Sequence, residues 1–197
     1  MPGRIGEVER ITNETQVKVS IEITGQGIFC GDTGVPFLNH MLDLWTRHGL
    51  FNLTLIAQGD LAVDAHHTVE DVGITLGQAL RKALGKREAI NRYGSALVPM
   101  DEALLLVAVD ISGRPFLGYD VNLITSQVGD FDTELVEEFL RAFTVNAGLT
   151  LHVRMLSGKN AHHIIEAIFK ALGRALREAT EIDPRGKGVP STKGSLV

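Results

Sequence analysis

Apolar and polar residues alternate strictly through QVKVSIEITG, Gln16 to Gly25, which is the period of a strand with one buried face. A glycine-rich turn, GQGIFCGDTG, is expected to end it. From Pro36 the period lengthens: Phe37, Met41, Leu42, Leu44 and Trp45 share one side of a helix that closes near Gly49, with proline at its start. LFNLTLIAQG reads as a strand again. Val69 to Leu84 then carries Val72, Leu76, Ala79, Leu80 and Leu84 at helical spacing.

After Gly94 the order recurs. ALLLVAVDISGRPFLGYDV reads as two strands around the turn SGRP, ELVEEFLRAFTVNAG as a helix, LTLHVRML as a strand, and a last helix follows. Setting His66 on His162 brings Leu76 onto Leu172, Gly77 onto Gly173, Ala79 onto Ala175, Leu80 onto Leu176 and Arg81 onto Arg177. The expected fold is therefore α+β and internally duplicated, each half-domain a roughly four-stranded sheet with helices packed on one face. The expected limits are 1–93, 94–183 and a basic, turn-rich tail at 184–197.

Composition narrows the field without pointing to chemistry. The chain has 197 residues, 44% hydrophobic and 22% charged, enough for a sizeable core and ordinary for a globular protein. A formal charge of -5 argues against a broad nucleic-acid footprint, so a small partner is expected. No run is long and apolar enough to span a bilayer, and MPGRIGEVER lacks the apolar core of a signal peptide. Cys30 is the only cysteine, which leaves no internal disulfide or cysteine-based zinc cluster and fits a cytoplasmic protein.

Chemistry enters with the histidines. AHHTVED and AHHIIEA place His66, His67 and Glu70, then His162, His163 and Glu166, at matching points of the repeat. On a helix adjacent residues diverge by about 100°, whereas positions three and four apart share a face. Each helix thus offers imidazoles in two directions, with a carboxylate within reach, and can serve two metal sites. Imidazole with carboxylate suits manganese, iron, zinc or nickel. A single histidine pair is usually an exposed coincidence; its repetition favours metal binding. His40, in FLNHMLDL, is a further candidate ligand.

HHTVED, HHIIEAIFKALGRALR, GVPFLNHML, MDEALLLVAVDISGRP and the terminal VPSTKG together resemble imidazoleglycerol-phosphate dehydratases, over nearly the whole chain. The resemblance implies a manganese-dependent hydro-lyase of histidine biosynthesis, with two Mn2+ per active site. It implies a homo-oligomer of 24 subunits in cubic symmetry whose active sites lie between subunits. The ligands it implies are His40, His66, His67, Glu70, His162, His163 and Glu166. In the repeat His40 falls opposite Glu138, where the family pattern has histidine; Glu138 can bind manganese itself, or a water can take that position. Glu14, in TNET, is implied as the acid–base group. His48, Arg92, Arg114, Lys170, Ser191 and Lys193 are implied to hold the phosphorylated imidazole substrate.

The implied reaction removes a proton from carbon, so the ring must act as electron sink, and holding both ring nitrogens by metals serves that need. Two other readings compete. A dinuclear hydrolase would share the ligands but release inorganic phosphate; a metal-cemented assembly protein would not need Glu14.

Overall fold

Alternation is realised where it is cleanest. The computed structural model, which describes residues 3–196, buries Val17, Val19 and Ile21 on one face of β2 (Thr15–Glu22) while Gln16 and Lys18 face outward. β1 (Ile5–Ile11) makes a hairpin with β2, which pairs antiparallel with β4 (Asn52–Gly59); β3 (Ile28–Asp32) joins the far edge parallel to β4. The order is β1-β2-β4-β3. Helices α1 (Pro36–Gly49) and α2 (His66–Leu84) cover its buried face.

The second half repeats this plan. β5 (Tyr93–Met100), β6 (Ala103–Asp110), β7 (Phe116–Asp120) and β10 (Thr150–Ser157) form a sheet of order β5-β6-β10-β7, again with only the last pairing parallel. α3 (Leu135–Ala147) and α4 (Ala161–Thr180) cover it. A small ribbon, β8 (Gln127–Val128) with β9 (Phe131–Asp132), lies in the β7–α3 connection, which is longer than its β3–α1 counterpart. The fold is the expected duplicated α+β arrangement.

Several local expectations change. GQGIFCGDTG is not only a turn, since β3 lies within it. That edge strand is short and mostly exposed, so no apolar alternation marks it. β1 and β5 are further strands that periodicity did not signal; β1 reads IGEVERI, with little apolar alternation. α2 starts at His66, ahead of the apolar run that begins at Val69, and the Asp64 carboxylate accepts from the His66 N–H at 2.8 Å at this start. β6 and β7 flank SGRP but do not pair with each other; β10 runs between them.

The halves are joined by their helices. α1 packs on α4 and α2 on α3, and each pair runs in the same direction. Both crossings are close because glycine sits at the contact. A Cβ on Gly173 of α4 would lie 2.5 Å from the Trp45 carbonyl oxygen of α1, and one on Gly77 of α2 would lie 2.6 Å from the Phe143 carbonyl oxygen of α3. Trp45, Phe143 and Phe169 fill the surrounding core and are almost fully buried.

Gly173→Ala is therefore expected to force α1 and α4 apart and to cost about 1–3 kcal/mol. Urea unfolding should give a lower midpoint with an unchanged slope; a wild-type midpoint would mean that the helices separate without cost.

Candidate active site at the helix N-termini

Both histidine pairs open their helices. Asn160 caps α4, its side chain accepting from the His162 and His163 N–H groups at 2.9 and 3.4 Å. Within each pair the rings stand nearly perpendicular, at 89° for His66 and His67 and 81° for His162 and His163. One histidine of each pair turns toward the neighbouring helix; the other turns toward a hairpin tip.

At the inward position of α4, three residues meet. His40 Nε2 donates to Glu166 Oε1 at 2.9 Å, and His162 Nε2 lies 3.7 Å from the same oxygen. One ligand atom from each of His40, His162 and Glu166 lies within 4.8 Å of the others. The close α1–α4 crossing creates this meeting, since His40 is on α1. Lys170, one turn further along α4, donates to Glu166 Oε2 at 2.9 Å. Burial pushes the Glu166 carboxyl up, but the hydrogen bonds from Lys170 and His40 outweigh it and hold the group below its ordinary value. Beside the cluster, Val35, Phe37, Val128 and Phe131 line a pocket of about 420 Å³ that also reaches His40 and His162.

The equivalent crossing of α2 and α3 brings His66 and Glu138 onto one depression, with Glu134, Glu137 and Arg141. Arg141 pairs with Glu137 there. Glu138 thus occupies in its half the position that His40 has in the other. Glu70 is half-buried and has no hydrogen bond or ion pair among the described residues.

The outward histidines meet carboxylates. His67 Nδ1 donates to Asp60 Oδ2 at 3.0 Å, and Glu14 Oε2 is 3.9 Å from the same nitrogen. His163 Nδ1 donates to Glu102 Oε2 at 2.8 Å, and its Nε2 lies 3.7 Å from Asp101. The Asp60 bond raises the His67 pKa and the Glu102 bond raises that of His163. Glu102 in turn is held at about 2, by His163 first and then by the Asn160 and Lys159 N–H groups.

The expected substrate-binding residues fall in two groups. His48, at the end of α1, lies near Lys170 and Arg174; burial first, then these cations, lowers its pKa. At the opposite end of β5, Arg92 is fixed by Asp110, at 2.7 and 3.1 Å, and donates to the Pro190 carbonyl at 2.9 Å. That bond ties down the tail just before Ser191 and Lys193, both outside any helix or strand. Arg114 is exposed on the turn after β6. The eight residues of β5 separate Arg92 from Met100, which Lys170 touches, by roughly 25 Å.

Asp60, Glu102 and Arg174 were not singled out from the sequence. Glu102 was visible in principle: Ile11 pairs with Gln16 in the first hairpin and Pro99 with Leu104 in the second, which sets Glu14 and Glu102 at the same place in the repeat. Arg174 lies one turn beyond Lys170. Asp60 has no repeat partner of its kind.

A duplicated α+β chain with paired histidine and carboxylate clusters at the starts of its two longest helices defines the class. A family profile described as imidazoleglycerol-phosphate dehydratase matches residues 33–176. The dehydratase of Moorella thermoacetica is 58% identical over 96% of both chains, and that of Acetivibrio thermocellus 60% identical over 96% of this chain and 97% of its own. The crystal structure of the Staphylococcus aureus enzyme superposes with a TM-score of 0.83 at 46% identity, covering 91% of this chain and 99% of that one. The Pyrococcus furiosus enzyme, solved in complex with (S)-C348, gives 0.81 at 42% identity over 96% of this chain and all of its own. The chain belongs to the imidazoleglycerol-phosphate dehydratase family and is a hydro-lyase.

In metal-free protein, His67 and His163 are expected to titrate above the ordinary histidine value and His48 below it, as followed by NMR. The raised groups hold their protons more tightly when folded, so their contribution to stability is complete below the ordinary value and is lost as pH rises through the folded values. For His48 the sign reverses: its contribution is present above the ordinary value and is lost as pH falls through its folded one. A common midpoint for all three would contradict the pairings described.

Proposed function

We propose that the chain, which dehydrates imidazole glycerol phosphate to imidazole acetol phosphate in histidine biosynthesis, does so in the cytoplasm with two manganese ions per active site. The carrying observation is the His40, His162 and Glu166 cluster, three nitrogen and oxygen donors close enough to share one divalent ion. His66 and Glu70, joined by Glu138 across the second crossing, supply the matching donors, and the outward His67 and His163 keep Nε2 available because Nδ1 is already bonded. The donor set fits manganese: it mixes imidazole with carboxylate and contains no thiolate. When bound, the two ions would supply Lewis acidity to the imidazole ring of the substrate.

The residues of the chain then divide the remaining work. Elimination breaks a C–O bond and the C–H bond of the adjacent carbon, forms a C=C bond and releases the hydroxyl, with a proton, as water; the resulting enol tautomerises to the ketone. Glu14, half-exposed at a hairpin tip beside His67, takes the carbon proton. Lys170 and His48 line one approach to the cluster, while Arg92, Arg114, Ser191 and Lys193 hold the phosphate through charge-assisted hydrogen bonds. Arg92 retains N–H donors beyond the three used by Asp110 and Pro190.

The roughly 25 Å between the two ends of β5 exceeds the reach of a three-carbon phosphate ester bearing one ring. A complete site therefore draws its phosphate residues from a second copy, which supports a closed homo-oligomer, here 24 subunits in cubic symmetry. No described helix is long and apolar enough to cross a membrane, and the exposed Cys30 suits a reducing compartment.

Two measurements test this reading. Glu14→Gln should retain manganese yet lose orders of magnitude in turnover on imidazole glycerol phosphate, with no inorganic phosphate released by the wild type; persistent turnover would remove Glu14 from the proton transfer. Co-assembling Glu14→Gln with Arg92→Ala subunits should restore about a quarter of wild-type activity if the two residues come from different subunits. Mixed particles as inactive as either variant would mean a site built within one chain.

A further inference from the structure

The two hairpin tips hold glutamates at equivalent positions that do different things. Glu102 is fully engaged: it accepts from His163 Nδ1 at 2.8 Å, from the Asn160 N–H at 2.7 Å and from the Lys159 N–H at 3.1 Å. Glu14 has none of these bonds. Its carboxylate lies 3.9 Å from His67 Nδ1, and that nitrogen donates to Asp60 instead.

Asp60 is a feature of the first half alone. A Cβ on Gly59 would meet Thr68, and one on Gly158 would meet Ile164, each two residues beyond the first histidine of its helix. The residue after Gly59 is Asp60, whereas the residue after Gly158 is Lys159. In the second half no carboxylate stands there, and the hairpin glutamate holds the histidine.

The anchoring of the hairpins differs in the same sense. Arg10 Nε donates to Asp71 Oδ1 at 2.7 Å, and the Thr15 hydroxyl donates to Asp71 Oδ2. Asp71 is buried on α2, so β1 and β2 are tied to that helix one residue away from Glu14. The corresponding residues of the second half are Val98, Ala103 and Ala167, which make no such bonds. That hairpin is held polar-wise at Glu102 itself.

We propose that Asp60 and Glu102 are positioning residues, each fixing the Nδ1–H tautomer of an outward histidine so that Nε2 faces the metal, and that Asp60 thereby leaves Glu14 free for proton transfer. The inference rests on the reading of His67 and His163 as ligands. An ionised carboxylate only accepts, so its partner nitrogen must carry the proton. Such carboxylate–histidine pairs orient the ring and raise its basicity as a ligand. If Glu14 held His67 as Glu102 holds His163, its carboxylate would be the bonded one and not free to take a proton.

Asp60→Ala should lower manganese affinity about 10–100-fold in competition with a metallochromic chelator. In metal-free assembled protein the imidazole nitrogen shifts of His67 should lose the Nδ1–H signature, and kcat at saturating manganese should fall as Glu14 is drawn onto His67. Asp60→Asn, whose amide oxygen still accepts, should keep the tautomer and much of the affinity. Glu102→Ala should have the same effect on His163, and not on His67. Wild-type affinity and tautomer in Asp60→Ala would overturn the inference alone if His67→Ala still loses manganese. Unchanged affinity in His67→Ala would overturn the ligand reading beneath it.

Discussion

The close approach of parallel helices across the duplication is the constraint on which the molecule depends. Neither half can assemble a three-donor cluster within its own helices, because α1 and α4 belong to different halves and contribute His40 on one side and His162 with Glu166 on the other. Glycine at position 173 allows the backbones to touch, and Gly77 does the same for α2 and α3. The contact therefore sets both the core packing around Trp45 and Phe143 and the spacing of the donors.

Charge is distributed so that Glu166, His67 and His163 are oriented before any ligand arrives. Glu166 is buried yet ionised because Lys170 and His40 compensate its desolvation. His67 and His163 are steered by carboxylates at Nδ1, Asp60 and Glu102. The repeat is thus symmetric in backbone and asymmetric in side chains: two sheets share one strand order, while their hairpins are anchored through an Arg10–Asp71–Thr15 network in one and through Glu102 in the other. Duplication supplies matched scaffolds, and divergence at a few positions, Asp60 against Lys159 among them, leaves the equivalent Glu14 and Glu102 with different partners.

Much of the fold was legible because burial imposes period two on β2, β4, β6 and β10 and a helical period on α1 through α4. Edge strands escaped for the same reason: β1 and β3 bury little, so their residues carry no such pattern. The candidate site was legible to the extent that its residues repeat. The HHxxE helices stand out once superposed, and Glu138 was already recognisable as the position opposite His40. Asp60 was not, because its partner His67 is seven residues away and nothing in the composition of GDLAVDAHH marks which aspartate it meets.

What the sequence by itself determined is the set of local elements, the duplication and the chemical types of the donors, since these follow from side-chain periodicity and identity along one chain. Which donors share a site was decided only by tertiary structure. His66 and His67 are neighbours in sequence but face different partners, and His40 meets Glu166 across 126 positions. Helix geometry dictates that adjacent side chains diverge, and only the packing of one helix on another decides what each of them then meets.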